Sequence, residues 1–312
     1  MTGRVLILGS TDVTHAVARA VLECSHDIAA IVGVGNQFVI SYADKPVTNL
    51  RHVSYDDLAS RHGIPLVSFT NYDALPDDLV AQSDLCLLAG WYHMVPARFR
   101  KRFARGCFGF HASILPALRG GAPLNWAILS GLQETGVSLI GLSDGVDNGP
   151  VAGCARFPIG DEESVASLVA KSQTASVSLV HKCLDGLLDG SLVPAAQKGT
   201  PTYCLQRIPE DGLIDWRMSA DHLLRLVRAL DKPYPGAYSF LKGKQIIIRR
   251  ARAVSEPVIL GAPGQIAFVG EYAQPLILTG DLPLEILAAT DEAGNDMLPV
   301  LAKHSNQRLT CQ

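Results

Sequence analysis

His111 and Asp147 are the side chains of this 312-residue chain whose types and setting could carry chemistry. His111 ends the run Phe108-Gly109-Phe110-His111. Asp147 lies in the turn-rich Ser143-Asp144-Gly145-Val146-Asp147-Asn148-Gly149-Pro150, and each follows an apolar segment. A carboxylate beside an imidazole fixes its tautomer and stabilises its cation, which is what proton transfer near neutral pH requires. In an open parallel sheet ligands bind at the strand exits, so a histidine and an acid at two such exits form a candidate reaction centre. After the histidine, Ser113, Pro116, Arg119 and the pair Gly120-Gly121 describe a chain turned by proline and freed by glycine to approach a ligand closely. Plainer readings stand beside this one: His111 as a satisfied polar group at a strand end, and Asp144 as a turn cap.

A pair of this kind needs a sheet to hold it, and the first half of the chain alternates short apolar runs with amphipathic stretches. The runs are Val5 to Gly9, Ile28 to Val34, Pro65 to Phe69, Leu85 to Ala89, Cys107 to His111 and Val137 to Leu142; helical spacing marks Val13 to Leu22, Tyr55 to Arg61, Pro96 to Phe103 and Pro123 to Leu129. Short buried strands alternating with helices predict a doubly wound, mainly parallel α/β domain of Rossmann-like build. Ser164 to Leu188 carries Val165, Leu168, Val169, Ala175, Leu179, Cys183 and Leu187 at helical spacing and reads as a long closing helix. Gly190, Pro194, Gly199 and Pro201 then mark a linker. Beyond it lie one helical segment, Ser219 to Leu230, and the β-rich runs Gln245 to Arg249, Gln265 to Val269 and Pro275 to Leu278. The expected organisation is a catalytic domain over 1–190, a linker over 191–203 and a small, mainly-β, OB-like domain over 204–312.

Composition narrows the function classes. With 48% apolar residues the chain can bury one large core or two smaller ones. A formal charge of -3 gives no electrostatic footprint for a phosphate backbone. The seven cysteines are scattered with no close pair, and they read as reduced, mostly buried thiols of a cytoplasmic protein. The nine histidines show no ligand spacing, so no metal is expected. No apolar run approaches the ~20 residues of a membrane span, and the start of the chain is too short in apolar residues for a signal segment. The first loop, Gly9-Ser10-Thr11-Asp12, sits between a strand and a helix, where free amides and the helix dipole suit an anion. Its glycine spacing is not that of a dinucleotide fingerprint, which disfavours a nicotinamide cofactor. Two readings remain for it: a capped turn, or a place where Ser10 and Thr11 contact substrate.

His111-Ala112-Ser113-Ile114-Leu115-Pro116, with Arg119-Gly120 and Ala122-Pro123, resembles the His-x-Ser-Leu-Leu-Pro…Arg-Gly-x-x-Pro stretch of the folate-dependent formyltransferases. Glu134-Thr135-Gly136-Val137 and Gly145-Val146-Asp147-Asn148-Gly149 resemble that family's next strand and its aspartate loop. Ile208 to Trp216 and Arg228-Ala229-Leu230…Pro233-Tyr234-Pro235-Gly236-Ala237 look like the C-terminal domain shared by methionyl-tRNA formyltransferases and certain amino-sugar formyltransferases. The resemblance covers nearly the whole chain, with four motifs in order.

This resemblance implies transfer of a formyl group from N10-formyltetrahydrofolate to a primary amine. The step needs a donor to the developing oxyanion and a group to take the ammonium proton. His111 is then expected to supply the first or shuttle the second, with Asp147 orienting it. Trp91, Tyr92, His93 and Met94 fall where the family lays the pterin along backbone groups, and Leu115, Pro116 and the backbone near Val146 would complete that cleft. Arg119 and Asn125 join Ser10 and Thr11 as expected substrate contacts. For Trp91 and Tyr92 ordinary aromatic packing is the competing reading.

One position departs from the family. An asparagine there stands two residues before the histidine, and here that place is Gly109. Three consequences compete: another group such as Asn125, Asn148 or a water replaces the amide; the enzyme is slower; or the chain has become a folate-binding protein with little turnover. The stretch from Gly35 to Arg51, which corresponds to the basic loop that grips tRNA, offers only Lys45 and Arg51. That argues against a tRNA substrate, since phosphate contacts dominate such affinity. A nucleotide-linked amino sugar is the first expectation for the accepting amine, a hydroxylated ornithine of siderophore biosynthesis the second. Hydrolysis of the formyl donor is a further alternative.

Overall fold

Val5, Leu6, Ile7 and Leu8 form a continuous apolar run, and in the computed structural model all four are fully buried in the strand Arg4–Leu8. Such a run fits the centre of a sheet covered on both faces. The structure describes residues 2–39, 46–270 and 272–311. Lys45, one of the two cations of the stretch Gly35 to Arg51, lies outside them.

Seven strands form the main sheet in the spatial order Val151–Pro158, Glu134–Gly141, Cys107–His111, Leu85–Leu88, Arg4–Leu8, Asp27–Gly33 and Leu66–Ser68. The last five run parallel, and Glu134–Gly141 and Val151–Pro158 are antiparallel to their neighbours. This refines the expected geometry of the reaction centre. Gly141, at the exit of its strand, is paired with Phe108, whereas His111 is paired with Ser138. Asp147 therefore does not leave a strand beside His111; its loop has to run back over three residues of strand, ~10 Å at the usual rise. Val151–Pro158 escaped the sequence reading because it is an edge strand with a glycine inside it and one buried residue, Phe157.

Helices cover the sheet where the periodicity predicts them. Asp12–Glu23 buries Val13, Val17 and Val21, an i, i+4 stripe. The long helix runs Val165–Asp189 and buries Leu168, Leu179, Cys183 and Leu187. Leu6, Leu8, Ala30, Val32, Cys86, Leu88, Phe99 and Phe103 pack together on one side of the sheet, with Leu142 and Trp91 against them.

Two compact units emerge. The first comprises Met1–Pro123, Glu134–Pro158 and Val169–Cys204; the second comprises Leu124–Gln133, Ile159–Leu168 and Leu205–Gln312. The punctuated stretch after the long helix is fastened to the first unit. Val151 and Ala195 exchange backbone hydrogen bonds of 2.7 and 2.9 Å, and Tyr203–Cys204 pairs in parallel with Arg119–Gly120.

In the second unit the helix Ala220–Ala229 starts at Ser219, whose side chain accepts from the His222 N–H. Its buried Leu223, Leu226 and Val227 pack on a five-stranded antiparallel sheet in the order Ala237–Leu241, Lys244–Ala253, Leu284–Thr290, Leu276–Ile277 and Ile266–Ala267. The fold class is thus a mainly parallel α/β domain with a smaller antiparallel β domain. Among the described residues no helix is long and apolar enough to cross a membrane.

Candidate active site

His111 is the last residue of its strand and is 8% exposed. Its Nδ1 lies 3.3 Å from Asp147 Oδ2, and its Nε2 lies 2.7 Å from the Leu118 carbonyl oxygen. Both partners are acceptor oxygens. The Gly120 N–H donates to the same Asp147 Oδ2 at 2.9 Å. Asp147 Oδ1 carries no hydrogen bond among the described residues.

Unusual backbone builds this arrangement. Asp147 has φ +46°, in the left-handed region where aspartate is tolerated better than most residues. Leu118 has φ +56°, and it is the residue whose carbonyl meets the imidazole. Gly120 has φ +103°, and a β-carbon there would stand 2.3 Å from the Cys204 carbonyl oxygen, so only glycine lets this chain approach so closely. Ser113 serves the turn itself: it is 1% exposed, its hydroxyl donates to the Ala117 carbonyl at 2.6 Å, and its own carbonyl accepts from Ser138 Oγ at 2.8 Å.

Arg119 and Gln197 complete the surroundings. Arg119 Nε and Nη2 donate to Gln197 Oε1 at 3.1 and 2.6 Å, and Nη1 donates to the Tyr203 hydroxyl at 3.2 Å. Gln197 Nε2 in turn donates to the carbonyls of Asp147 and Gly149, both at 2.8 Å. Gln197 and Tyr203 were not among the expected residues, because a lone glutamine in a loop carries no sequence signal. Cys204 Sγ lies 3.5 and 3.4 Å from the carbonyls of Leu118 and Arg119. Burial, and next the Asp147 charge, push its thiol up to about 11.

The place of the absent asparagine is apolar. A β-carbon on Gly109 would meet Leu142 Cδ2 at 3.2 Å and Leu88 Cβ at 3.8 Å. Neither amide suggested as its replacement is free of other ties. Asn125 is 2% exposed and its Nδ2 donates to the Ala229 carbonyl at 2.7 Å, closing the end of the helix Ala220–Ala229 within the second unit. Asn148 Oδ1 accepts a short hydrogen bond from Ser143 Oγ. Asp144 pairs with Arg100, which also donates to the Leu142 carbonyl at 2.9 Å.

The other expected contacts fall into two groups. Ser10 and Thr11 are 0% and 2% exposed. Ser10 Oγ accepts from the Val34 N–H at 2.6 Å, and the Thr11 carbonyl accepts from Tyr55 at 2.9 Å. Their loop is buried, and among the described residues Thr11 Oγ1 has no hydrogen-bond partner. Trp91, Tyr92 and His93 belong to an aromatic cluster. Trp91 Nε1 donates to the Tyr72 hydroxyl at 2.8 Å, Tyr92 OH donates to Asn49 Oδ1 at 2.9 Å, and the His93 ring lies 5.1 Å from Phe69 and 5.5 Å from Trp91. Among the described residues His93 Nε2 is buried without a hydrogen-bond partner, and burial lowers its pKa. Met94 and Val146 stand open, at 67% and 49% exposed, and Leu115 and Pro116 are half-buried. Among the described residues no group of His, Cys, Asp or Glu is placed to hold a metal ion.

An open α/β sheet of this order, with a histidine–aspartate pair at its antiparallel margin and an antiparallel β unit following in the chain, is the build of a two-domain group-transfer enzyme. The chain belongs to the formyl transferase family: residues 4–184 match the formyl transferase domain and residues 207–301 its C-terminal domain. It is similar to the methionyl-tRNA formyltransferase of Citrifermentans bemidjiense, 32% identical over 279 residues that make up 86% of this chain and 84% of that one. In fold it is similar to HypX of Aquifex aeolicus in complex with tetrahydrofolic acid (TM-score 0.66, 20% identity, 93% of this chain), of which it spans only 44%. It is similar too to the N-formyltransferase of Helicobacter canadensis in complex with folinic acid and dTDP-3-aminofucose, with a TM-score of 0.65, 18% identity and coverage of 92% and 99%.

Proposed function

We propose that this enzyme moves the formyl group of N10-formyltetrahydrofolate to a primary amine of a small metabolite, with His111 and Asp147 as the reaction centre. The observation that carries the reading is the placement of the imidazole between the Leu118 carbonyl and Asp147 Oδ2. The amine attacks the formyl carbon, its C=O becomes an oxyanion, and the C–N10 bond breaks as N10 takes up a proton. An imidazolium held by Asp147 can turn its Nε2–H from Leu118 to the oxyanion, where charge develops. The open Asp147 Oδ1 is the acceptor left for the ammonium proton. Leu115, Pro116, Met94 and Val146 are the proposed apolar contacts of the folate, beside the backbone of Trp91, Tyr92 and His93. The folate complexes of the similar structures support that choice of donor.

For the accepting amine, a nucleotide-linked amino sugar fits best. Arg51, one of the two cations in the stretch that corresponds to the tRNA-gripping loop, is spent on Asp12 Oδ1 at 2.5 Å. Its charge is thereby neutralised within the first unit, and phosphate recognition of tRNA would lack its basic footing. Methionyl-tRNA is the second reading, favoured by the name of the 32% identical relative. A hydroxylated ornithine would use the same chemistry.

The test is release of tetrahydrofolate from N10-formyltetrahydrofolate with dTDP- and UDP-amino sugars, N-hydroxyornithine and methionyl-tRNA as acceptors. Turnover with a nucleotide sugar and none with tRNA is expected. His111→Asn and Asp147→Asn should each lower it by about 10²–10⁴-fold. Equal rates in all three proteins would sink the assignment of the pair. Folate binding without transfer to any amine would mean a binding protein.

A further inference from the structure

Gln197 uses every hydrogen-bonding position of its side chain. An amide has two N–H donors and an oxygen with two lone pairs. Here both donors go to backbone carbonyls, Asp147 and Gly149, and both lone pairs accept from one guanidinium, Arg119 Nε and Nη2. The orientation of the amide is fixed by its partners, because carbonyls only accept and a guanidinium only donates. No other side chain satisfies this set. Glutamate could hold the arginine and would face the two carbonyls with like partial charge, and methionine would fill the space and bond neither.

The two ends that Gln197 joins are the two halves of the reaction centre. Asp147 sits in the left-handed region, and the carbonyls on either side of Asn148 are the ones that the amide grips. Arg119 is flanked by Leu118, whose carbonyl meets His111 Nε2, and by Gly120, whose N–H meets Asp147 Oδ2. Gly149 is packed so that a β-carbon there would stand 1.7 Å from the Gly141 carbonyl oxygen, which pins the far end of the loop. The glutamine is itself held in place by the Val151–Ala195 backbone pair on one side and by the Thr202 carbonyl, which accepts from Arg119 N–H at 2.9 Å, on the other.

We propose that Gln197 is a positioning residue of this enzyme: by clamping the carbonyls of Asp147 and Gly149 against Arg119 it sets the backbone of the aspartate loop and, through Asp147, the orientation of His111. The proposal rests on the assignment of His111 and Asp147 as the reaction centre.

The experiment compares wild type with Gln197→Met, Gln197→Glu and Asp147→Asn, and with the double variant Gln197→Met/Asp147→Asn. Transfer is followed with N10-formyltetrahydrofolate and the amine accepted in the panel above, or hydroxylamine where none is accepted. Gln197→Met is expected to lower kcat by about 10–100-fold, the scale of a misplaced reacting group, with the KM for the folate within about threefold. Gln197→Glu should fall with it, since the carboxylate keeps Arg119 and loses both carbonyls. Added to Asp147→Asn, Gln197→Met should cost less than about threefold more.

A readout independent of turnover is the ring ¹⁵N spectrum at pH 7.5, in which His111 is identified among the nine histidines by its loss in His111→Asn. Gln197→Met should move the His111 signals toward their positions in Asp147→Asn and leave the other rings unmoved. Wild-type activity of Gln197→Glu, full additivity in the double variant, or unchanged His111 signals in Gln197→Met would each overturn the proposal. If His111→Asn and Asp147→Asn transfer formyl groups at the wild-type rate, the reaction-centre reading falls instead, and the ring spectrum still decides whether Gln197 positions the pair.

Discussion

Leu142 stands against Gly109, its Cδ2 3.2 Å from where a β-carbon would lie, so the place of the family's asparagine is filled by hydrocarbon. The nearest atoms to that position are Leu142 Cδ2, Leu88 Cβ and the Leu88 carbonyl oxygen. Gly109→Asn alone should therefore overpack the site and leave an amide among leucines, costing about 1–3 kcal/mol of stability with no gain in rate. Combined with Leu142→Ala, the same asparagine has room, and turnover should rise by at least about tenfold, a fraction of what one oxyanion donor contributes. Denaturant unfolding and kcat/KM of both variants check this. A single Gly109→Asn variant that is faster and equally stable would show that Leu142 is no obstacle.

Cys204 lies against the Leu118 and Arg119 carbonyls, and burial, and next the Asp147 charge, push its thiol up to about 11. Because the thiolate is the nucleophile, iodoacetamide at pH 8 should label the exposed Cys154 and Cys311 and spare Cys204. Labelling of Cys204 should rise only as the pH approaches 11. Asp147→Asn removes one of the two causes and should bring that rise to lower pH. Peptide mass spectrometry reads all three sites, and prompt modification of Cys204 at pH 8 would contradict its placement.

His93 is held neutral by the apolar cluster around it, with a pKa below the usual histidine value of 6.5. Its folded form binds a proton less readily than its unfolded form, so its contribution to stability is present above pH 6.5 and is lost as the pH falls below that value. His93→Phe should remove this dependence, flattening the fall of Tm between pH 6.5 and lower pH. Thermal unfolding across that range decides the matter, an identical acid limb in the two proteins being the adverse result.

Asn125 Nδ2 donates to the carbonyl of Ala229, the last residue of a helix. Deleting its amide leaves the Ala229 carbonyl buried without its donor, so Asn125→Ala should cost about 1–3 kcal/mol. The KM for any accepted amine should stay within about twofold, the sign of a structural role. A large rise in that KM with unchanged stability would return Asn125 to the substrate contacts.

Much of this molecule can be read from its residues before any coordinates. The run Val5 to Leu8, the valine stripe of the first helix and the leucines of Val165–Asp189 each declare their element, because burial on a fixed face demands apolar residues at a fixed period. The His111–Asp147 partnership was legible too, as residue types at the ends of apolar runs. What could not be read was set by pairing rather than by periodicity. The reversal of Glu134–Gly141 depends on which neighbour it joins, and the edge strand Val151–Pro158 has too little apolar content to announce itself. Gln197 is invisible for the same reason: its four hydrogen bonds go to two stretches of chain, Asp147 to Gly149 and Arg119, both far from it in sequence. The burial of Ser10 and Thr11 was not legible either, because a strand–helix turn reads from sequence as an open place with free amides.

The hydrogen bonds of Gln197 and the pairing of Thr202 with Arg119 enclose Lys198, Gly199, Thr200 and Pro201, of which the first three are exposed. The chain is thus anchored on both sides of a short free tip. Substitutions at the exposed Lys198 and Thr200 should leave the anchored ends, and with them Asp147 and His111, in place, whereas Gly199, with φ +101°, is tied to glycine.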